Sequence, residues 1–504
     1  MTARRRRKGR RKTAGGAARK TAGGAARKTA GGARRPWPAS WQAPAIFAWG
    51  FLVHLVFLLA SPELTTPVSA FFFGDSVRFL ESARLALLGQ HLDAGLPYHP
   101  PLVGWLMLPV WWLFEAPRAY VAAKLLMSLI NAAGYALFFL LVRRRVPHAL
   151  WICLLLPLSF GEMLLSAAAG SEAVYRLLLL ALLAAGLERP WLAGMLHGAA
   201  ALCRAEHLPF ALLLLAVAAA RPAWRGPALR SAAVALLLVL LPYAVVTHAA
   251  LSDYNARHAG QLPEELPTLV PVSFYGPLNF ALAQREEDVF FARRTLPPAP
   301  AGMSALDPRF PPHNELILHG YRIGLETIAR DPLRFVRRSA RKLAFSFQAL
   351  GYGWTWRDLP NPGRWLRPPV DMAISSNPPY LLAVLALIAA GAWRLRAERA
   401  LLLAGGVLLA YRLAVNVAFF PYLRSMMIVS PFWLLLLSTG LHAVAGRLHR
   451  ALTPPRLFAA LLVLLAAFHL TAFRDRRYLL DGERDERGLI IDDRPVTITF
   501  AGYR

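Results

Sequence analysis

Long runs without a charged residue constrain this chain most. From Pro36 to Ser61 there is no Asp, Glu, Lys or Arg, and Leu177 to Gly186 contains only Leu, Ala and Gly. A water-soluble domain cannot hide many such runs. Hydrophobic residues make up 56% of the 504 positions and charged residues only 17%, so the runs continue along most of the chain. The expected class is an all-α polytopic membrane protein. The alternating polarity of an outer-membrane barrel strand is absent. Cys153 and Cys203 lie inside apolar runs and give neither a disulfide framework nor a metal-ligand spacing.

The runs predict about eleven transmembrane helices, near 43–61, 118–142, 147–168, 172–187, 190–206, 207–220, 230–250, 379–394, 399–420, 425–446 and 456–473. Pro101 to Phe114 is apolar too, but shorter than the ~20 residues a span needs. It reads as a re-entrant or interfacial helix. The organisation that follows is a basic tail (1–42), an N-terminal membrane module (43–250) with a first outer loop (62–117), and a second outer loop (251–378). C-terminal spans (379–473) and a tail (474–504) complete it.

Residues 1–35 hold fourteen Lys and Arg and no acid, and repeat Arg-Lys-Thr-Ala-Gly-Gly-Ala with period eight from Arg11, Arg19 and Arg27. Such a segment has nothing to bury and is expected to be disordered. Anionic lipid headgroups are its expected contact, with no specific nucleic-acid role. Basic flanks stay in the cytoplasm, so this tail and the clusters at Arg143 to Arg145, Arg221 to Arg230, Arg394 to Arg399 and Arg447 to Arg456 are expected inside. Both loops are then extracytoplasmic, in a multi-pass protein of the cell's inner (plasma) membrane.

One carboxylate stands out on that face. Asp75 follows the first span in Phe71-Phe72-Phe73-Gly74-Asp75-Ser76, and an ionisable group at a span mouth is a functional candidate by default. Asp75, Phe79, Ala83 and Gly89 keep a D-x3-aromatic-x3-A-x5-G spacing, followed by Pro97-Tyr98-His99-Pro100-Pro101-Leu102. This stretch resembles the first outer loop of the GT-C membrane glycosyltransferases, more narrowly the bacterial protein-mannosyltransferase and aminoarabinose-transferase-like group. The resemblance implies a GT-C-like fold and sugar transfer from a polyprenyl-phosphate donor to an extracytoplasmic acceptor (glycan, lipid or protein).

The chemistry has few requirements. A polyprenyl-phosphate sugar already carries a good leaving group at its anomeric carbon, so the protein must supply a base for the acceptor and cations for the departing phosphate. Asp75 is the expected base, or else the group that orients the acceptor. One base and no enzyme-bound intermediate implies inversion, by analogy with inverting glycosidases. No cofactor and no obligatory metal are expected.

The expected donor contacts are Tyr98, His99, Glu172, Arg204, Arg338 and Arg424. His99 stands where similar aminoarabinose transferases have the lysine of a K-P-P-L motif; a histidine there makes the role pH-dependent or limits it to holding the loop. Arg204, in Leu202-Cys203-Arg204-Ala205-Glu206, resembles the arginine that ends a span in many relatives. Arg424, after Pro421-Tyr422-Leu423, resembles a motif opening a late span. Either arginine can instead be a snorkelling residue. Glu172 is a family-like acid at a span's outer end or a helix N-terminal acid favoured by the dipole. Arg338 belongs to a basic amphipathic helix starting at Asp331-Pro332, with Arg334, Arg337, Arg338 and Arg341 at helical spacing and Val336, Ala340, Leu343 and Phe347 on another face. It reads as a helix lying on the membrane, its basic face either solvated or on headgroups or, as the resemblance implies, docking a lipid phosphate. Ser76 stands where many protein-mannosyltransferases carry a second acid. The competing class is a lipid-linked sugar flippase or other polytopic transporter, against which the chain shows no internal membrane repeat.

Overall fold

The computed structural model describes residues 39–60, 76–89, 96–116, 118–285, 296–300, 303, 306–352, 378–421, 423–448 and 453–474. Residues 1–38 of the basic tail, Asp75 and residues 475–504 lie outside them. Among the described residues the secondary structure is helical, with no strand. The protein is an all-α polytopic membrane protein.

Each apolar run forms a helix whose ends fall near a Pro, Gly or basic residue. The helices are α1 (Ala39–Ala60), α2 (Ser76–Leu87), α3 (Leu102–Leu113), α4 (Arg118–Val142), α5 (Ala149–Leu155), α6 (Phe160–Ala167) and α7 (Ser171–Ala185). Then come α8 (Pro190–Cys203), α9 (His207–Ala219), α10 (Pro222–Val234), α11 (Leu241–Arg257), α12 (Tyr275–Arg285), α13 (Pro311–Arg330) and α14 (Pro332–Tyr352). The last are α15 (Pro378–Arg394), α16 (Arg399–Ala418), α17 (Leu423–Met426), α18 (Ser430–Leu448) and α19 (Pro454–Arg474).

Among the described residues, five helical stretches are long and apolar enough to cross a bilayer: Trp41–Leu59, Arg118–Val142, Pro222–Arg257, Arg399–Ala418 and Arg424–Arg447. The other expected spans depart from that length in specific ways. The 147–168 run bends by 68° between α5 and α6. Pro157 sits in a 3-10 turn there and has no N–H to continue the ladder. Helices α7, α8 and α9 have 15, 14 and 13 residues, below the ~20 of a full span. Conversely, α10 and α11 join through a π-helical stretch, Ala235–Leu240, into one 36-residue rod. Pro242 opens α11 and cannot donate backwards, and the wider π turn absorbs that missing bond. The segment read as interfacial is α3, 12 residues long, about 18 Å at 1.5 Å per residue and too short to span.

Small residues let the helices approach, because in lipid there is little hydrophobic force between them. Gly194 and Gly198 of α8 face Ser231, Val234 and Val239, so that α8 packs parallel to the π-bulged rod. Gly391 of α15 and Gly440 of α18 meet the backbones at Leu436 and Leu387. An added Cβ at any of these four glycines collides with its neighbour. A second layer covers one end of the bundle. Leu96 and Tyr98, the α11 end at Leu251 and Tyr254, Phe274, Leu278, Leu316, Ile317 and Phe420 form one buried cluster. It brings the first loop, the second loop and the chain after α16 to the same face.

Candidate functional site

Five charged side chains meet where α7, the α8–α9 junction, α16 and α17 come together. Glu172 is the second residue of α7, where the N-terminal dipole favours an acid. Arg204 follows α8 as its cap in an extended conformation (φ −147°, ψ 116°), which turns its side chain toward α7. Its Nη1 donates to Glu172 Oε1 at 3.1 Å and to Ser171 Oγ at 2.8 Å, and its Nε donates to Glu206 Oε1 at 2.6 Å. Arg424 Nε lies 3.4 Å from the same Glu172 Oε1. Arg412, buried on α16, donates to Glu206 Oε1 at 2.8 Å, and the neighbouring Tyr411 hydroxyl donates to the Glu206 carbonyl at 2.7 Å.

Three guanidinium groups thus face two carboxylates, a surplus of one positive charge. Glu172 Oε2 is buried with no hydrogen-bond partner among the described residues, and so is Arg412 Nε. Gly170 makes room for that carboxylate, since a Cβ there would lie 2.7 Å from Oε2. Arg204 and Arg424 keep 17% and 16% of their side-chain surface exposed, while Arg412 keeps 1%. The cluster therefore has a closed floor and an open rim.

Of the residues expected from sequence, Glu172, Arg204 and Arg424 come together here. Tyr98 and His99 sit in the covering layer. The Tyr98 ring is buried and its hydroxyl donates to the Leu306 carbonyl at 3.5 Å. The His99 ring lies 4.5 Å from that of Tyr275 and 5.9 Å from that of Phe79. Arg338 is also buried and caps α12, donating to the carbonyls of Ala283 (2.8 Å) and Gln284. Asp75 lies outside the described residues; the Ser76 that follows it is buried at the start of α2.

Sequence reasoning passed over Arg412 and Glu206, and a second polar cluster inside the bundle. There Arg176 pairs with Glu162, both 1% exposed. Arg176 also donates to Asn131 Oδ1 at 2.6 Å, and the Tyr135 hydroxyl bridges Glu162 (2.9 Å) and His54 (3.2 Å). A further chain runs from Tyr175 to His207 (2.8 Å) and from His207 to His197 (3.0 Å). The signal was present: each of these groups interrupts an apolar run, and such ionisable groups inside a span are rare and rarely idle.

No protein-family model matches the chain, and no curated protein matches it. Solved structures are similar to it, two of them oligosaccharyltransferases. One is the archaeal oligosaccharyltransferase AglB from Archaeoglobus fulgidus in complex with an inhibitory peptide and a dolichol-phosphate, at 15% identity and a TM-score of 0.46 over 90% of this chain and 57% of that one. The other is the Archaeoglobus fulgidus oligosaccharyltransferase tethered to an acceptor peptide containing the NVT sequon, at 12% identity and a TM-score of 0.43 over 89% and 56%. This chain spans a little over half the length of each.

Proposed function

We propose that this protein is an integral membrane glycosyltransferase that moves a sugar from a polyprenyl-phosphate donor to an acceptor on the extracytoplasmic face. The observation that carries the reading is the rim of Arg204 and Arg424 on Glu172, above buried Arg412. An arginine fork matches phosphate oxygens and stays charged at any physiological pH. A partly desolvated site with a surplus positive charge suits a phosphate diester that gains charge as its sugar leaves and it becomes a monoester.

In the proposed reaction the acceptor's O–H or N–H attacks the anomeric carbon. The bond from that carbon to the phosphate oxygen breaks, and its electron pair stays on the phosphate. The acceptor's proton passes to Asp75. A direct displacement inverts the anomeric centre. Arg204 and Arg424 hold the phosphate, Glu172 orients them, and His99 and Tyr98 shape the roof. The membrane is the plasma membrane, with the basic tail inside on anionic headgroups.

Transport is the second reading, favoured by the enclosed Glu162–Arg176–Tyr135–His54 cluster, because buried charges inside spans also build ion and proton paths. Proteoliposomes holding a polyprenyl-phosphate sugar and an acceptor separate the two. Transfer lost in Asp75→Asn with the lipid distribution across the bilayer unchanged supports the enzyme. Lipid redistribution that persists without any transfer supports the transporter.

A further inference from the structure

Helix α14 is built inside out. Arg338, Lys342 and Ser346 form its buried face, at 6%, 1% and 0% exposure. Leu333 and Val336 are 57% and 59% exposed, and Ala340, Leu343 and Ala344 lie on the same exposed stripe. Arg337 and Arg341 border that stripe and are exposed, with Arg334 beside them. In a water-soluble helix the two faces are the other way round.

The inner face explains its own cations. Arg338 and Lys342 donate to the carbonyls of Ala283 and Gln284 at the end of α12, and Lys342 also to Val417 at 3.1 Å near the end of α16. Last-turn carbonyls lack partners within their own helix, and the dipole there favours a cation. Among the described residues, Leu333, Val336 and Leu343 of the outer face stay exposed. Lys342 is held at Val417, at the end of Arg399–Ala418, a stretch long and apolar enough to cross a bilayer, so α14 meets that stretch near one end.

We infer that the outer face of α14 is a membrane-docking surface, with its apolar stripe in the shallow acyl region and Arg337 and Arg341 on anionic phospholipid headgroups. An apolar stripe edged by arginine is the pattern of a helix lying in the interface, and each basic residue near an anionic surface adds attraction. The seating reaches the proposed site through three buried side chains: Asn416 Nδ2 donates to Ser346 Oγ at 3.0 Å, and Ser425 Oγ donates to Asn416 Oδ1 at 2.7 Å, next to Arg424. The inference rests on the membrane fold and stands or falls apart from the proposed reaction.

The test uses the full chain in nanodiscs of equal phosphatidylglycerol and phosphatidylcholine. Val336→Cys carries an environment-sensitive fluorophore, and Leu325→Cys on α13, 59% exposed, is the comparison. The probe at 336 is expected to be quenched by lipid spin-labelled high on its acyl chain and shielded from aqueous iodide, with the reverse at 325. Quenching at 336 by iodide and not by lipid overturns the docking. Phosphatidylglycerol retained after mild delipidation should fall about fivefold for each arginine removed in Arg337→Gln and Arg337→Gln/Arg341→Gln. Unchanged retention overturns the headgroup contact. Loss of retention on adding one polyprenyl phosphate per disc also overturns it, because the face would then belong to the carrier.

Discussion

Arg204 and Arg424, 220 positions apart in the chain, converge on one oxygen, Glu172 Oε1, at 3.1 and 3.4 Å. The carboxylate keeps two cations close at the cost of desolvating all three groups. An arrangement of that kind is poised to accept a second anion.

The first prediction follows from Glu172. Glu172→Gln leaves two guanidinium groups facing each other without their shared counter-charge. Breaking a buried pair by removing one partner costs roughly 3–5 kcal/mol, and the open rim puts the expected value at the low end. Thermal unfolding in detergent should show the loss, and polyprenyl phosphate should restore more of it than it adds to the native protein. A melting temperature unchanged by the substitution contradicts the role of Glu172.

The second concerns donor affinity. Arg424→Gln and Arg204→Gln should each weaken binding of a polyprenyl-phosphate sugar by roughly 1.5–3 kcal/mol, the range for a charged hydrogen bond. The effect should fall on the donor and leave acceptor affinity alone. Titration of donor into both variants checks it, and native affinity in the double variant would move the phosphate site elsewhere.

The third separates structure from chemistry. Arg176→Met leaves Glu162 charged and enclosed and should cost roughly 3–5 kcal/mol, whereas Arg176→Met with Glu162→Leu should recover much of it. Expression and unfolding of the single and double variants read the difference. A single variant as stable as the native protein would remove Arg176 from the framework and strengthen the transport reading.

The fourth is topological. Cysteines placed at Leu88, 58% exposed in the first loop, and at Asn377 should react with an impermeant thiol reagent on intact cells, and one at Ala397 should not. Labelling at 397 reverses the orientation.

The helical segments were legible because an apolar run of span length has few alternatives in lipid. The bend at Pro157 and the π turn before Pro242 were not read, because hydropathy averages over the local backbone bonds that decide them. The convergence of Glu172, Arg204 and Arg424 was half legible: each was marked by its place at a span end, but their meeting depends on helix packing. Arg412 and Arg176 were missed although each stands alone in an apolar run. For Arg338 the pattern gave the helix and not its rotation. Only the packing shows that Arg338 and Lys342 turn inward onto helix ends while Arg334, Arg337 and Arg341 stay exposed.

The central claim is tested most directly at Asp75. Turnover of a polyprenyl-phosphate sugar is measured with the purified protein in proteoliposomes, native against Asp75→Asn, with donor binding followed alongside. Removing a general base at constant size should lower turnover by roughly 10^2–10^4 while expression and donor affinity stay native. Turnover near the native rate in Asp75→Asn would contradict the account.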